Sequence, residues 1–352
     1  MASAENDSAV ARVVGFQREN HKEHIIRFDH QALVKWQSSV TETFTSTPIA
    51  GLGAMDRLPN ELITSIFNEL DIETVVNFCY VNRIARQLVI ATLEFRRIAT
   101  HAPTCLLAVL QTGVSRYFTF PDLYHAMLLR HCDVCQGLAS YVYLPTLTKA
   151  CDNCLTMKNR FITVTLASFA RQAKHTTARL RRQVPVVKSL PGNYRDCGTV
   201  RTRRFDMMSY TEAMKFVKEN TTSVAAVAPA KCFGYERDGQ FTRRMVTAPL
   251  PFFNEQTQAV EPILSCKGCA IDHDLKFKTQ IMTDLMFQSR LWRYTPDLST
   301  SQLAEHCKHC SMARTIWAAS KNGTVSINHF DTPFIQMGAV RKQLIRDDRY
   351  KL

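Results

Sequence analysis

Eight of the twelve cysteines in this 352-residue chain fall into four CxxC pairs: Cys132 with Cys135, Cys151 with Cys154, Cys266 with Cys269, and Cys307 with Cys310. The spacing lets one tight turn aim two sulfurs at a single ion, and two such turns complete the tetrahedral thiolate shell that zinc favours. Each completed shell pins two distant points of the chain together, so the pairs restrict the fold more than any hydrophobic pattern here. Residues 136–150 separate the first two pairs, an interval that suits a four-cysteine site. The other two are separated by the longer segment 270–306, where the simplest assignment joins Cys266, Cys269, Cys307 and Cys310. His273, His306 and His309 stand close enough in sequence to replace one of those cysteines. Two structural zinc ions are therefore the expected cofactors. A redox dithiol or a disulfide staple explains two pairs at this spacing less well, because no thioredoxin-like strand and helix pattern surrounds them. Cys79, Cys105, Cys197 and Cys232 have no partner at ligand spacing and are assigned no role.

Between the first two knuckles, Tyr141, Val142 and Tyr143 favour a strand before the break at Pro145, which predicts a short hairpin with a knuckle at each end. Zinc with four cysteinates carries two net negative charges, so Arg130, Lys149 and Lys158 are expected to support the site electrostatically. Such a shell leaves no open position for water, and the chain contains no HExxH, GxSxG or phosphate-loop pattern. Catalysis is not expected. An interleaved eight-ligand RING arrangement is also disfavoured, since residues 155–265 separate the second pair from the third.

The second strong signal is the run from Leu58 to Leu88. Pro59 suits the first turn of a helix, and Asn60 and Glu61 place acceptors near its positive end. Leu62, Ile63, Ile66, Phe67 and Leu70 then recur at helical offsets as one wide apolar stripe. Asp71 can cap a second helix carrying Val75, Val76 and Phe78, and Asn82 a third carrying Ile84, Leu88 and Val89. Three short helices cannot bury that much apolar surface among themselves, which implies a partner. The segment resembles an F-box, and the positions that match the family are Leu58, Pro59, Leu62, Ile66, Leu70, Val81, Arg83 and Leu88. Where the family usually places a bulky aromatic in its third helix, this chain has Ala85. The resemblance implies docking to a Skp-type adaptor and, through it, to a cullin complex. With the downstream cysteine pairs, the chain resembles fungal F-box proteins with zinc-binding C-terminal regions.

Length and a 45% hydrophobic, 21% charged composition suit two or three globular domains. No apolar stretch reaches the length needed to span a bilayer, and the first twenty residues lack a secretory apolar core, so an intracellular location, cytoplasm or nucleus, is expected. The expected class is α+β, a three-helix F-box followed by a zinc-stapled mixed region. Residues 1–50 read as a flexible arm with a helix over His24–Trp36, 51–97 as the F-box domain, and 98–130 as a helical linker. The first zinc module with a basic helix follows over 131–205, and a mixed region with the second site over 206–352. Ser209 and Glu212 form a capping box for a helix, and a further helix is expected over 277–292.

The net charge is +13, and the bias is strongest from Arg171 to Arg204, where ten bases face the single acid Asp196. Arg179, Arg181, Arg182, Arg201, Arg203 and Arg204 form the candidate basic patch. The reading this supports is a non-catalytic substrate receptor of an SCF-type ubiquitin ligase. The zinc-stapled region would hold a protein target, and receptor action would be by proximity. The alternative is a zinc-dependent nucleic-acid-binding or scaffold protein using the basic stretch. It is the weaker reading because Tyr194 is the one aromatic between Arg171 and Arg204 available to stack on a base.

Overall fold

A computed structural model describes residues 2–17, 25–42, 51–194, 200–220, 239–277 and 297–325. These residues combine many short helices with small antiparallel sheets, the mixed helix and strand content expected. The chain divides into two compact units, one of residues 1–21 with 261–352 and one of residues 22–260.

In the larger unit, Asn60–Glu69, Ile72–Phe78 and Arg83–Ala91 are the three short helices expected over 58–88. Asp71 and Asn82 cap the second and third as expected, their side chains accepting from the Thr74 and Ala85 amides. Pro59 stands just outside the first helix as its N-terminal flanking residue. Helices Leu93–His101, Pro103–Gln111 and Phe120–Leu128 follow, the last closed by a capping box between Thr119 and Asp122. Their buried Phe95, Ile98, Leu106, Val109 and Leu123 join Ile63, Phe67, Val75 and Val89 in one continuous core. Val142, Tyr143, Leu155 and Val246 belong to that same core, so no solvent layer separates the three helices from the first cysteine region.

The hairpin between the first knuckles forms as expected, Tyr141–Tyr143 pairing antiparallel with Thr148–Ala150. A third strand, Thr247–Pro249, pairs on its other side, with Tyr141 opposite Pro249 and Tyr143 opposite Thr247. Ile26 extends the arrangement by donating its amide to the Thr247 carbonyl at 3.1 Å.

The segment from Phe161, read as the basic helix of the first zinc module, does not form one helix. Its β-branched Thr163–Thr165 is a strand, followed by helices Leu166–Ala173 and Thr177–Gln183 separated by Lys174 in the left-handed conformation and by the Thr176 cap. Strand Asp206–Ser209 pairs with Thr163–Thr165 on one side and with Val187–Lys188 on the other. Ser209 Oγ accepts from the Glu212 amide at 3.4 Å at the start of helix Tyr210–Asn220. These elements enclose a second, smaller core built on Val164, Phe169, Leu180, Met208 and Phe216.

The reading of residues 1–50 as a flexible arm is corrected over the described residues 2–17 and 25–42. Ala2–Val14 is a helix, Gly15–Phe16 a strand, and His30–Thr41 a helix capped by Asp29. Val10, Val14 and Phe16 are buried; spaced four apart, Val10 and Val14 share one helix face, whose partners lie at the far end of the sequence. In the smaller unit that helix packs on Thr300–His309, and Gly15–Phe16 pairs antiparallel with Ser265–Cys266, the strand that carries the first ligand of the second cysteine group. The helix expected over 277–292 lies almost wholly outside the described residues; helix Lys267–Phe277 precedes it. No helix among the described residues is long and apolar enough to cross a membrane.

Candidate functional site

The first cysteine group assembles as expected. The sulfurs of Cys132, Cys135, Cys151 and Cys154 all lie within 4.8 Å of one another, so these four could hold a metal ion. Backbone geometry builds each knuckle. Cys132 donates its amide to Gly137 O at 2.7 Å and accepts from Gln136 N at 3.0 Å, while Gln136 takes a positive φ of 60° to close the turn. Cys151 opens helix Asp152–Met157, and its sulfur accepts from the Cys154 amide at 3.4 Å. Cys132, Cys151 and Cys154 are buried and Cys135 is exposed. The crowding divides the thiols: a hydrogen bond from Cys151 pulls Cys132 well below the usual thiol range, while that same bond and burial push Cys151 up. Four neighbouring sulfurs cannot all ionise alone, and a bound dication is the chemical device that lets them.

Two of the three cations expected to support this group are used elsewhere. Lys149 is fully buried, donating to Leu250 O at 2.6 Å and Pro251 O at 3.2 Å, and burial pushes its ammonium down to about 7. The Arg130 guanidinium lies over the Phe252 ring at 5.5 Å. Lys158 is exposed.

The second group differs from the expected one by a single ligand. Cys266, Cys269 and Cys310 converge with His306, again within 4.8 Å, and Cys307 is not among them. Cys269 Sγ stands 3.2 Å from His306 Nε2 and 3.9 Å from Cys310 Sγ. Helical geometry supplies the reason. On helix Thr300–His309, Leu303 and Cys307 are four residues apart and share the face buried with Val10 and Val14. His306, rotated about 100° from Cys307, lies four residues before Cys310 and so on the stripe that meets it. Burial pushes the Cys307 thiol up, as for a small apolar side chain, whereas a hydrogen bond from Cys266 and the nearby His306 hold Cys269 down. Sequence spacing named His306 as an alternative, but the periodicity of Leu303 and Cys307 was the signal that decides between them.

Gly268 sits between two of these ligands, at a point where a Cβ would lie 2.4 Å from the Ala313 amide nitrogen and 2.9 Å from its Cα. Helix Ser311–Ala319 cannot approach so closely over any other residue. Lys267 Nζ donates to Val13 O at 2.9 Å, tying the N-terminal helix to the same turn. Two expected results follow for metal content by mass spectrometry. His306→Ala and Gly268→Ala should each lower it by about one ion per chain, whereas Cys307→Ala should retain it and cost about 1 kcal/mol of stability through lost packing. Retention of both ions by His306→Ala would refute the assignment.

The helical segment presents a different kind of surface. The stripe read from sequence splits in two: Ile63 and Phe67 turn inward at 2% exposure, while Leu62 at 51% and Ile66 at 39% face outward. Leu58, Pro59, Val81 and Arg83 are exposed as well, and Leu70 and Leu88 are half-buried against the core. Tyr80, 57% exposed and 5.8 Å from the Arg86 guanidinium, adds an aromatic ring that the sequence reading did not single out. Ala85 is fully buried, so a bulky aromatic there would have no room without moving its neighbours. Residues 55–91 match the F-box domain family. No curated protein and no solved structure matches the chain. The F-box match coincides with the segment that leaves Leu58, Leu62, Ile66, Tyr80 and Val81 uncovered.

The basic stretch does not form a uniform patch. Arg181 is paired with Asp206 at 2.5 Å, and Arg204 donates to Ser189 O at 2.9 Å and Gln111 O at 2.6 Å. Arg201, half-buried, stacks over Phe241 at 5.2 Å. Arg179, Arg182 and Arg203 are exposed.

Proposed function

We propose that the chain is a non-catalytic substrate receptor of an SCF-type ubiquitin ligase. Its F-box would dock a Skp-type adaptor through Leu58, Pro59, Leu62, Ile66, Leu70, Val81, Arg83 and Leu88, with Tyr80 at the margin, and its zinc-stapled region would hold a protein target. The observation that carries this reading is the outward set of large apolar side chains inside the F-box match, since exposed Leu, Ile and Val on one short helical segment mark a docking surface rather than a core. The cysteine and histidine groups support structural zinc: one thiolate set and one with three thiolates and an imidazole, each offering four ligands and so no open coordination position. The receptor works by holding adaptor and target at high effective concentration, for which it needs rigidity and no reactive group. The core shared by the F-box helices and the first cysteine region supplies that rigidity.

Co-purification of the full chain with a Skp-type adaptor tests the reading, with zinc read on the same sample. A stoichiometric complex carrying about two zinc ions per chain is the expected result. Zinc without adaptor capture would overturn the receptor role and leave a metal-stabilised scaffold.

A further inference from the structure

The described bases of the Arg171–Arg204 stretch divide into those held by a carboxylate or a carbonyl of the fold, Arg181 and Arg204, and those with no such partner. Arg171, Lys174, Arg179, Arg182, Lys188 and Arg203 are exposed, and no carboxylate among the described residues pairs with any of them. Asp206, the one acid described between positions 166 and 206, is already taken by Arg181. Helix polarity accounts for Arg171 and Arg182, which stand in the last turns of Leu166–Ala173 and Thr177–Gln183, and for Lys174, which caps the C-terminus of the first. It does not account for the others. Arg179 is the third residue of its helix, where the macrodipole disfavours a cation. The surface therefore carries positive charge that no described carboxylate pairs with, at Arg179 against the local helix dipole, and a matching anionic partner would relieve the repulsion.

We propose that this face, formed by the Leu166–Ala173 and Thr177–Gln183 helices, binds an acidic segment of the target protein. The proposal rests on the receptor reading and names the chemistry of its substrate: closely spaced carboxylates or phosphates, which arginine takes by paired, charge-assisted hydrogen bonds. The rings of the region argue against nucleic acid. Tyr194 is 1% exposed with its hydroxyl donated to Leu190 O, and Phe216 and Phe205 lie beneath Arg179 and Arg203 at 5.7 and 5.4 Å. Bases have no bare platform there.

Fluorescence anisotropy with the full chain tests the proposal against four labelled probes of equal length: a glutamate-rich peptide, a phosphoserine peptide, an uncharged peptide and a single-stranded oligonucleotide. The acidic peptides should bind and the uncharged one should not. Arg171→Glu with Arg182→Glu should weaken binding by at least ~30-fold, and the gentler Arg171→Gln with Arg182→Gln by about 10-fold. Arg96→Glu with Lys321→Glu places the same charge change at exposed sites elsewhere and should alter binding by no more than about 2-fold. Binding of the phosphoserine peptide alone would support the proposal with phosphate as the anion; binding of the glutamate-rich peptide would support it with carboxylates sufficient. The proposal is overturned if neither acidic peptide binds, if the control charge reversal weakens binding equally, or if the oligonucleotide binds more tightly than both. Adaptor capture on the same preparations separates the two failures: capture without peptide binding removes this inference alone, while loss of capture removes the receptor reading.

Discussion

Replacing Leu62 and Ile66 together with aspartate should abolish adaptor capture while helical content and zinc stoichiometry stay those of the wild type. The two side chains are 51% and 39% exposed, so the free chain loses little when they change. Burial in a partner is worth about 1.5–3 kcal/mol for each, and the substitution also forces two carboxylates against an apolar surface. Together these effects weaken binding by roughly 10²- to 10⁴-fold, enough to remove the complex from a pull-down. Their inward neighbours provide the contrast. Ile63→Asp or Phe67→Asp places a charge in a core where both residues are 2% exposed and Phe67 packs against Phe78 at 5.2 Å, and should cost at least ~4 kcal/mol of stability. Undiminished capture by a folded Leu62→Asp, Ile66→Asp variant would refute the docking face.

That contrast also shows what the sequence could and could not disclose. Periodicity named Leu62, Ile63, Ile66 and Phe67 as one stripe because a helical repeat marks apolar character without saying which half meets the molecule's own core. Adjacent residues on a helix are about 100° apart, so the stripe was wide enough to serve two partners. The first cysteine group was legible because its ligands are close in sequence and its turns are local. The second was partly legible: four convergent ligands were expected, but one cysteine of the four was wrong. Its geometry depends on helix Ala2–Val14 claiming the Cys307 face, a contact between residues about three hundred positions apart. The same long-range pairing explains why Gly15–Phe16 gave no strand signal. Two residues have too little pattern to register, and their partner, Ser265–Cys266, lies about 250 positions further along the chain. Likewise the basic stretch displayed its charge in the sequence but not the internal duties of Arg181, Arg201 and Arg204, which arise from partners such as Phe241 and Gln111 that no local rule connects to them.

Serine at both Cys132 and Cys151 should release one zinc per chain and, with it, weaken adaptor capture, although both residues are buried and lie outside the F-box match. Zinc binding to such sites carries an apparent free energy of about 10–16 kcal/mol in small peptides, comparable to the whole stability of a domain. Here Cys132, Cys151 and Cys154 lie in the same core as Phe67, Val75, Phe95 and Val142, so loosening the knuckles removes packing from beneath the F-box helices. The second group belongs to a different core, formed with Val10, Val14 and Leu303. Cys266→Ser with His306→Ala should therefore also lose one zinc yet leave adaptor capture intact. Thermal unfolding, zinc content and adaptor capture on the three proteins decide the matter. If the two double variants impair capture equally, the coupling is a general folding defect rather than a consequence of the shared core. If Cys132→Ser with Cys151→Ser leaves zinc at the wild-type level, the first group is not a metal site. Partial loss of capture only after the first group is broken would show the F-box and first knuckles acting as one rigid body, which is what a receptor acting by proximity requires.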